Sequence, residues 1–298
     1  MGEGEWTVET VRHVTLINFI LDLAALLLWL SWRSVPFDPV RRATPATLAG
    51  TVRRAEAPRL KRWHFLAVLV GLLFVRALFY WQFGPAVMWT PRIHMGFVAP
   101  AFPCNALLTS ILFSIGSFLR TWVVFHFWLL TLVIINGRLS DWNPFHKLIL
   151  LQLGSVGRWP RLLQILAPIL AVGMIWISIH PLLAHVGVVS PMQSPGHLVA
   201  QGALLGVWIY STLKFLLPAF LFAHLVASYV FLGSSPGWEY VSATSRNLLR
   251  PLQRLPLRFG RIDLTPLAGI ILILILLHAL PNAILSQLNR RNLTLWPQ

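Results

Sequence analysis

The sequence predicts an all-α polytopic membrane protein of about six transmembrane helices: an N-terminal helical hairpin followed by a duplicated two-helix unit. Three observations carry this. Six apolar runs, at 13–32, 63–83, 106–136, 162–186, 197–232 and 264–284, each reach or pass the roughly 20 residues that cross a bilayer. The 298 residues include only 11% charged ones, and the mean hydropathy is +0.69. That is too little charge for the surface of a soluble domain of this length. The formal charge of +15 lies mostly in short loops between the runs, so a membrane surface suits it better than nucleic acid, and no direct nucleic-acid contact is expected.

Helices are the expected spanning elements, because lipid satisfies no backbone hydrogen bonds. The stretch before the first run is acidic, with no basic region and no small-residue cleavage site. The first run is therefore expected to stay as a span. The third and fifth runs exceed one crossing and should tilt, bend or project. Pro218 is expected to kink the fifth. Trp29, Trp32, Trp63, Trp81, Trp142, Trp159 and Trp238 stand near run ends, as an aromatic belt requires.

Of the 24 Lys and Arg residues, seventeen fall in the loops 33–62, 137–161 and 233–261. Only Arg12, Arg92, Arg290 and Arg291 fall on the other side. The imbalance places the three basic loops in the cytoplasm and both termini outside. Cys104 is the single cysteine, and no Cys/His cluster has zinc spacing, so no metal is expected. No P-loop, HExxH, GxSxG or nucleophile triad is present, and no enzyme activity is expected.

The chain repeats internally. Each copy reads as a long span, a Trp-containing turn, a basic connector and a Pro-initiated span. Pro168 and Pro266 are separated by the same offset as His126 and His224, and as His180 and His278. The expected division is 1–100 for the hairpin, 101–192 for the first copy and 193–298 for the second. Arg246-Asn247-Leu248-Leu249-Arg250-Pro251-Leu252, followed by Gly260-Arg261-Ile262-Asp263-Leu264-Thr265-Pro266-Leu267, resembles the YggT family of small membrane proteins. Asn143-Pro144-Phe145 resembles that family's turn in the first copy. The first copy lacks the Asp-Leu-Thr-Pro signature, and Trp238-Glu239-Tyr240 stands where an Asn-Pro turn belongs in the second. The resemblance covers about residues 100–285. It implies an integral membrane protein without established enzyme chemistry. Relatives are tied to membrane-complex assembly (including haem attachment in plastids), to nucleoid or division organisation and to osmotic tolerance.

Within the family motif, Thr265 can cap the sixth span and Pro266 suits its first position. Asp263 adds negative charge at the positive end of that helix. Arg246, Arg250, Arg254 and Arg258 recur every four residues. On a helix they would share a slowly drifting face against anionic headgroups, although Pro251 and Pro256 cut the segment short. An ordinary topology signal accounts for the same residues.

Asp22, Arg76, Arg120 and Lys214 fall inside spans, each at a cost of about 2.5–3.5 kcal/mol unless paired or wet. Asp22 is expected to pair with one of the three cations and lock the hairpin onto the duplicated core. The pairs His126/His224 and His180/His278 could ligate two haems. Helix–helix hydrogen bonding explains them equally, and no cofactor is otherwise implied. The leading expectation is a non-catalytic scaffold, assembly factor or accessory subunit. Its partners would be anionic phospholipid and other membrane proteins or further copies of itself. The alternatives are an anion transporter using Arg120 and Lys214, and a haem-binding subunit.

Overall fold

The computed structural model describes residues 3–34, 62–87, 89–96, 98–137, 143–192, 194–230, 235–254, 258–259 and 262–290. The protein is an all-α polytopic membrane protein. Five helical stretches are long and apolar enough to cross a membrane: Leu16–Ser34, Arg62–Phe83, Leu107–Asn136, Arg161–His185 and Pro195–Tyr229. A sixth helix is apolar over the shorter stretch Thr265–Ala279. In chain order the helices are α1 (Glu3–Ser34), α2 (Arg62–Phe83), α3 (Leu107–Asn136), α4 (Pro144–Leu153), α5 (Arg161–His185), α6 (Pro195–Trp208), α7 (Leu213–Tyr229), α8 (Pro236–Leu249) and α9 (Thr265–Arg290). A two-residue antiparallel ladder joins β1 (Arg258–Phe259) to β2 (Ile262–Asp263) just before α9.

The chain forms two compact units, one of residues 1–93 with 101–122, the other of 94–100 with 123–298. This is not the three-part division at 100 and 192. The hairpin keeps the first half of α3, and both connectors fall in one unit. In the first unit, α1 and α2 pack together and α3 joins them. The Ser114 hydroxyl of α3 donates to the Leu73 carbonyl of α2 at 2.8 Å. The loop before α3 pairs with itself, Phe102 N–H donating to Pro91 O at 2.9 Å. A Cβ on Gly84 would stand 2.4 Å from the Cys104 Cβ, so glycine is what lets these segments touch.

In the second unit, α5 and α6 meet through glycines. Gly202 and Gly206, one turn apart, bring α6 against Gly173 and Ile169 of α5. Small residues at this spacing let membrane helices approach backbone to backbone. Pro218 lies within α7. The fifth apolar run also changes to a 3-10 turn before it, at Ile209–Thr212. There the Ser211 and Thr212 hydroxyls bond back three residues, to the Trp208 and Ile209 carbonyls, at 2.7 and 2.6 Å. Such hydroxyls relieve a tightened turn without help from the backbone ladder. Phe127 of α3 packs on Ile209, Leu213 and Leu217, and Trp128 donates to the Thr212 hydroxyl at 3.1 Å.

The two connectors begin alike. Asn143 caps α4, accepting from Phe145 N–H at 2.9 Å, with Pro144 at the first helical position. Ser235 caps α8, accepting from Trp238 N–H at 3.4 Å, with Pro236 following. Each connector helix thus starts on a capping side chain followed by proline.

Candidate functional site

The buried charge lies in the first unit. Asp22 of α1 and Arg76 of α2 form an ion pair at 2.5 Å, 7% and 3% exposed. The second Asp22 oxygen accepts from the Ser117 hydroxyl of α3 at 2.5 Å. Arg76 also donates to the Asn18 side-chain oxygen at 3.0 Å, and the Tyr80 hydroxyl donates to the same oxygen. The rings of Phe113 and Tyr80 lie 5.3 and 5.7 Å from the guanidinium carbon. A charge pair in lipid survives only when its remaining hydrogen-bond capacity is used. Here both carboxylate oxygens are engaged, while the buried Arg76 Nε has no hydrogen-bond partner among the described residues. The pair joins α1 to α2 inside the hairpin, and Ser117 and Phe113 extend it to α3. Sequence reasoning missed Asn18 and Tyr80. The signal was present: Asn18/Asp22 and Arg76/Tyr80 are each four apart, so each helix offers two polar groups on one face.

Arg120 and Lys214 are not drawn into this cluster. Both are exposed. Among the described residues Arg120 makes no hydrogen bond or ion pair. The Lys214 ammonium lies 5.2 Å from the Phe215 ring centroid.

The connector site is polar and buried. Asn136, the last residue of α3, is fully buried. Its amide donates to Thr244 of α8 at 2.7 Å, and its oxygen accepts from Asn247 at 3.1 Å. Thr244 donates to the Tyr240 carbonyl at 2.8 Å, and Ser245 to the Phe220 carbonyl at 3.0 Å. Burial pushes the Tyr240 hydroxyl pKa up, while Asn136 and Thr244 pull it down. Around them Leu130, Val133, Ile149, Leu153 and Tyr240 form an apolar cluster.

The four arginines do not share one helical face. Arg246 lies in the last turn of α8 and Arg250 at its C-cap, both exposed. Arg250 still has helical backbone, φ −49° and ψ −42°. The helix ends because Pro251 has no N–H to continue the ladder and its ring clashes with the carbonyl four residues back. Arg254 ends a 3-10 turn and Arg258 starts β1. The side chains of Arg254, Arg258 and Asp263 lie outside the described residues. Thr265 and Pro266 are buried at the start of α9.

Repeat-equivalent histidines have different surroundings. His126 and His224 are half-buried on α3 and α7, and His180 is buried while His278 is exposed. His278 shares a hydrogen bond with Asn282 at 3.2 Å. His180 lines a cavity of about 10 Å³ with His197, Gln201, Ser190 and Met192. Trp176 N–H donates to the Gln201 oxygen at 3.2 Å. That turns the Gln201 amide nitrogen toward His197 Nδ1, 3.5 Å away. His197 Nδ1 must then accept, which puts the neutral ring's proton on Nε2. That nitrogen seeks an acceptor, not a cation. Among the described residues no group of three or more His, Cys, Asp or Glu is placed to hold a metal ion. No family model, curated protein or solved structure matches this chain.

Proposed function

We propose that this chain is a non-catalytic scaffold or accessory subunit of a larger complex in a bacterial inner membrane, with its basic connectors in the cytoplasm. The buried Asp22–Arg76 pair, with both carboxylate oxygens engaged, is the observation that carries this reading. A transport path needs charge that ions and water can reach. Here the only carboxylate in the six apolar runs is spent on Arg76 and Ser117. The buried hydrogen bonds of Asn136, Thr244 and Ser245 likewise join helices to one another. The charges left over, Arg120 and Lys214, are exposed, where a neighbouring molecule can meet them.

Two further features support the reading. The second copy resembles the YggT family, whose relatives are tied to assembly of membrane complexes. Exposed Arg246 and Arg250 suit anionic headgroups or an acidic partner surface. The test is purification in a mild detergent from crosslinked and uncrosslinked membranes. The expected result is a defined assembly larger than the chain, with the same co-migrating protein in both. Recovery as an isolated monomer from both preparations would overturn the reading.

A further inference from the structure

Arg120 stands one to two residues from the midpoint of the 30-residue α3. With that helix centred, its Cα lies about 2 Å from the bilayer midplane, roughly 15 Å from either headgroup layer. Long basic side chains near helix ends snorkel to the interface, but mid-depth leaves this one little to reach. Burying it unpaired in lipid costs about 2.5–3.5 kcal/mol even on the mildest scale.

The chain has no carboxylate to give it. Asp22 is the only Asp or Glu in the six apolar runs, and both its oxygens are already used by Arg76 and Ser117. Ser117 is one helical turn from Arg120 on α3, so Arg120 sits beside the Asp22 cluster without pairing with it. Asp22, Arg76 and Arg120 together carry a net charge of +1. A second copy of the chain brings the same surplus and no spare acid. The missing charge must come from a molecule of different sequence.

We propose that Arg120 is an intramembrane docking charge for a transmembrane helix of another protein, one that carries a carboxylate at mid-depth. This rests on the accessory-subunit reading and names the chemistry of its partner. Charge complementarity selects the carboxylate, because a neutral amide would leave the guanidinium charge uncompensated. Depth selects a membrane helix over a headgroup.

The test uses the full chain in zwitterionic vesicles with a synthetic polyleucine helix bearing a central Glu, and matched helices with Gln or Leu there. Association is read by energy transfer between labels. The Glu helix should bind the wild type about tenfold more tightly than the Gln or Leu helix, a gap the size of one intramembrane polar pair. Arg120→Leu should abolish the difference and Arg120→Lys should keep part of it. Equal binding of the three helices overturns the proposal, as does selectivity that survives in Arg120→Leu. If adding anionic lipid abolishes the selectivity, a headgroup is the true counter-ion and the proposal again fails. The two readings separate cleanly. A native assembly that survives Arg120→Leu, with no preference for the Glu helix, removes the docking charge alone. Selective binding of the Glu helix by a chain that purifies only as a monomer removes the accessory-subunit reading alone.

Discussion

Asn136 at the end of α3 and Thr244 in the middle of α8 are joined side chain to side chain at 2.7 Å, both fully buried. Asn136 also accepts from Asn247, so one residue ties the end of a span to its connector. Asn136→Leu removes a donor and an acceptor, taking the donor from the Thr244 oxygen and the acceptor from the Asn247 amide. A destabilisation of about 1–3 kcal/mol is expected. Thermal unfolding in detergent would measure it. Asn136→Leu combined with Thr244→Val should cost less than the sum of the single changes, because the double variant leaves fewer polar groups unpaired.

Breaking the buried ion pair on one side should be worse. Arg76→Leu leaves Asp22 charged among apolar neighbours, with an expected loss of about 3–5 kcal/mol. Replacing both partners, as Asp22→Leu with Arg76→Met, removes the charge on each side and should recover most of that loss. The midpoint temperatures of the three variants test this. A double variant no better than Arg76→Leu would mean that Asn18, Tyr80 and Ser117 need the charges for their own arrangement.

The glycines of α6 predict a graded series. A Cβ at Gly206 would sit 2.5 Å from the Ile169 carbonyl oxygen, and one at Gly202 would sit 3.1 Å from that of Gly173. Gly196 has nothing within 4 Å. Alanine at these positions should therefore destabilise in the order Gly206, Gly202, Gly196, with the last close to neutral. Backbone cannot yield as a flexible side chain can. Thermal midpoints of the three variants test the order.

Cys104 should be slow to alkylate in the folded protein. Burial pushes its thiol pKa above the ordinary range, and the thiolate is the reactive form. The sign follows: the folded state holds the proton longer than the unfolded chain. The stability this brings is full below the unfolded thiol's pKa and is lost as pH rises through the folded value. Maleimide labelling near pH 8 should be slow in mild detergent and fast after denaturation. Equal rates would show the thiol to be accessible.

Much of the fold was legible in the chain. Six apolar runs match the helices that carry them to within three residues at their ends, apart from α1, which starts earlier, and α9, which ends later. Hydrophobic length is a property of the chain alone, because lipid leaves the backbone no alternative to a helix. The surplus of cations over acids inside the spans was legible for the same reason: composition needs no geometry.

The tertiary structure alone decided who meets whom. Asp22 had three possible cations, and only the packing of α1 on α2 assigned it Arg76. Asn18 and Tyr80 join that pair through spacings of four that become meaningful once two faces oppose. The break at Ile209–Thr212 belongs to hydroxyl-to-carbonyl bonds that proline counting could not foresee. Arg246, Arg250, Arg254 and Arg258 lost their common face where Pro251 ended α8. A sequence sets which segments must be buried and what each costs. Which partner offsets that cost depends on close contact between residues far apart in the chain, and such contact exists only after folding.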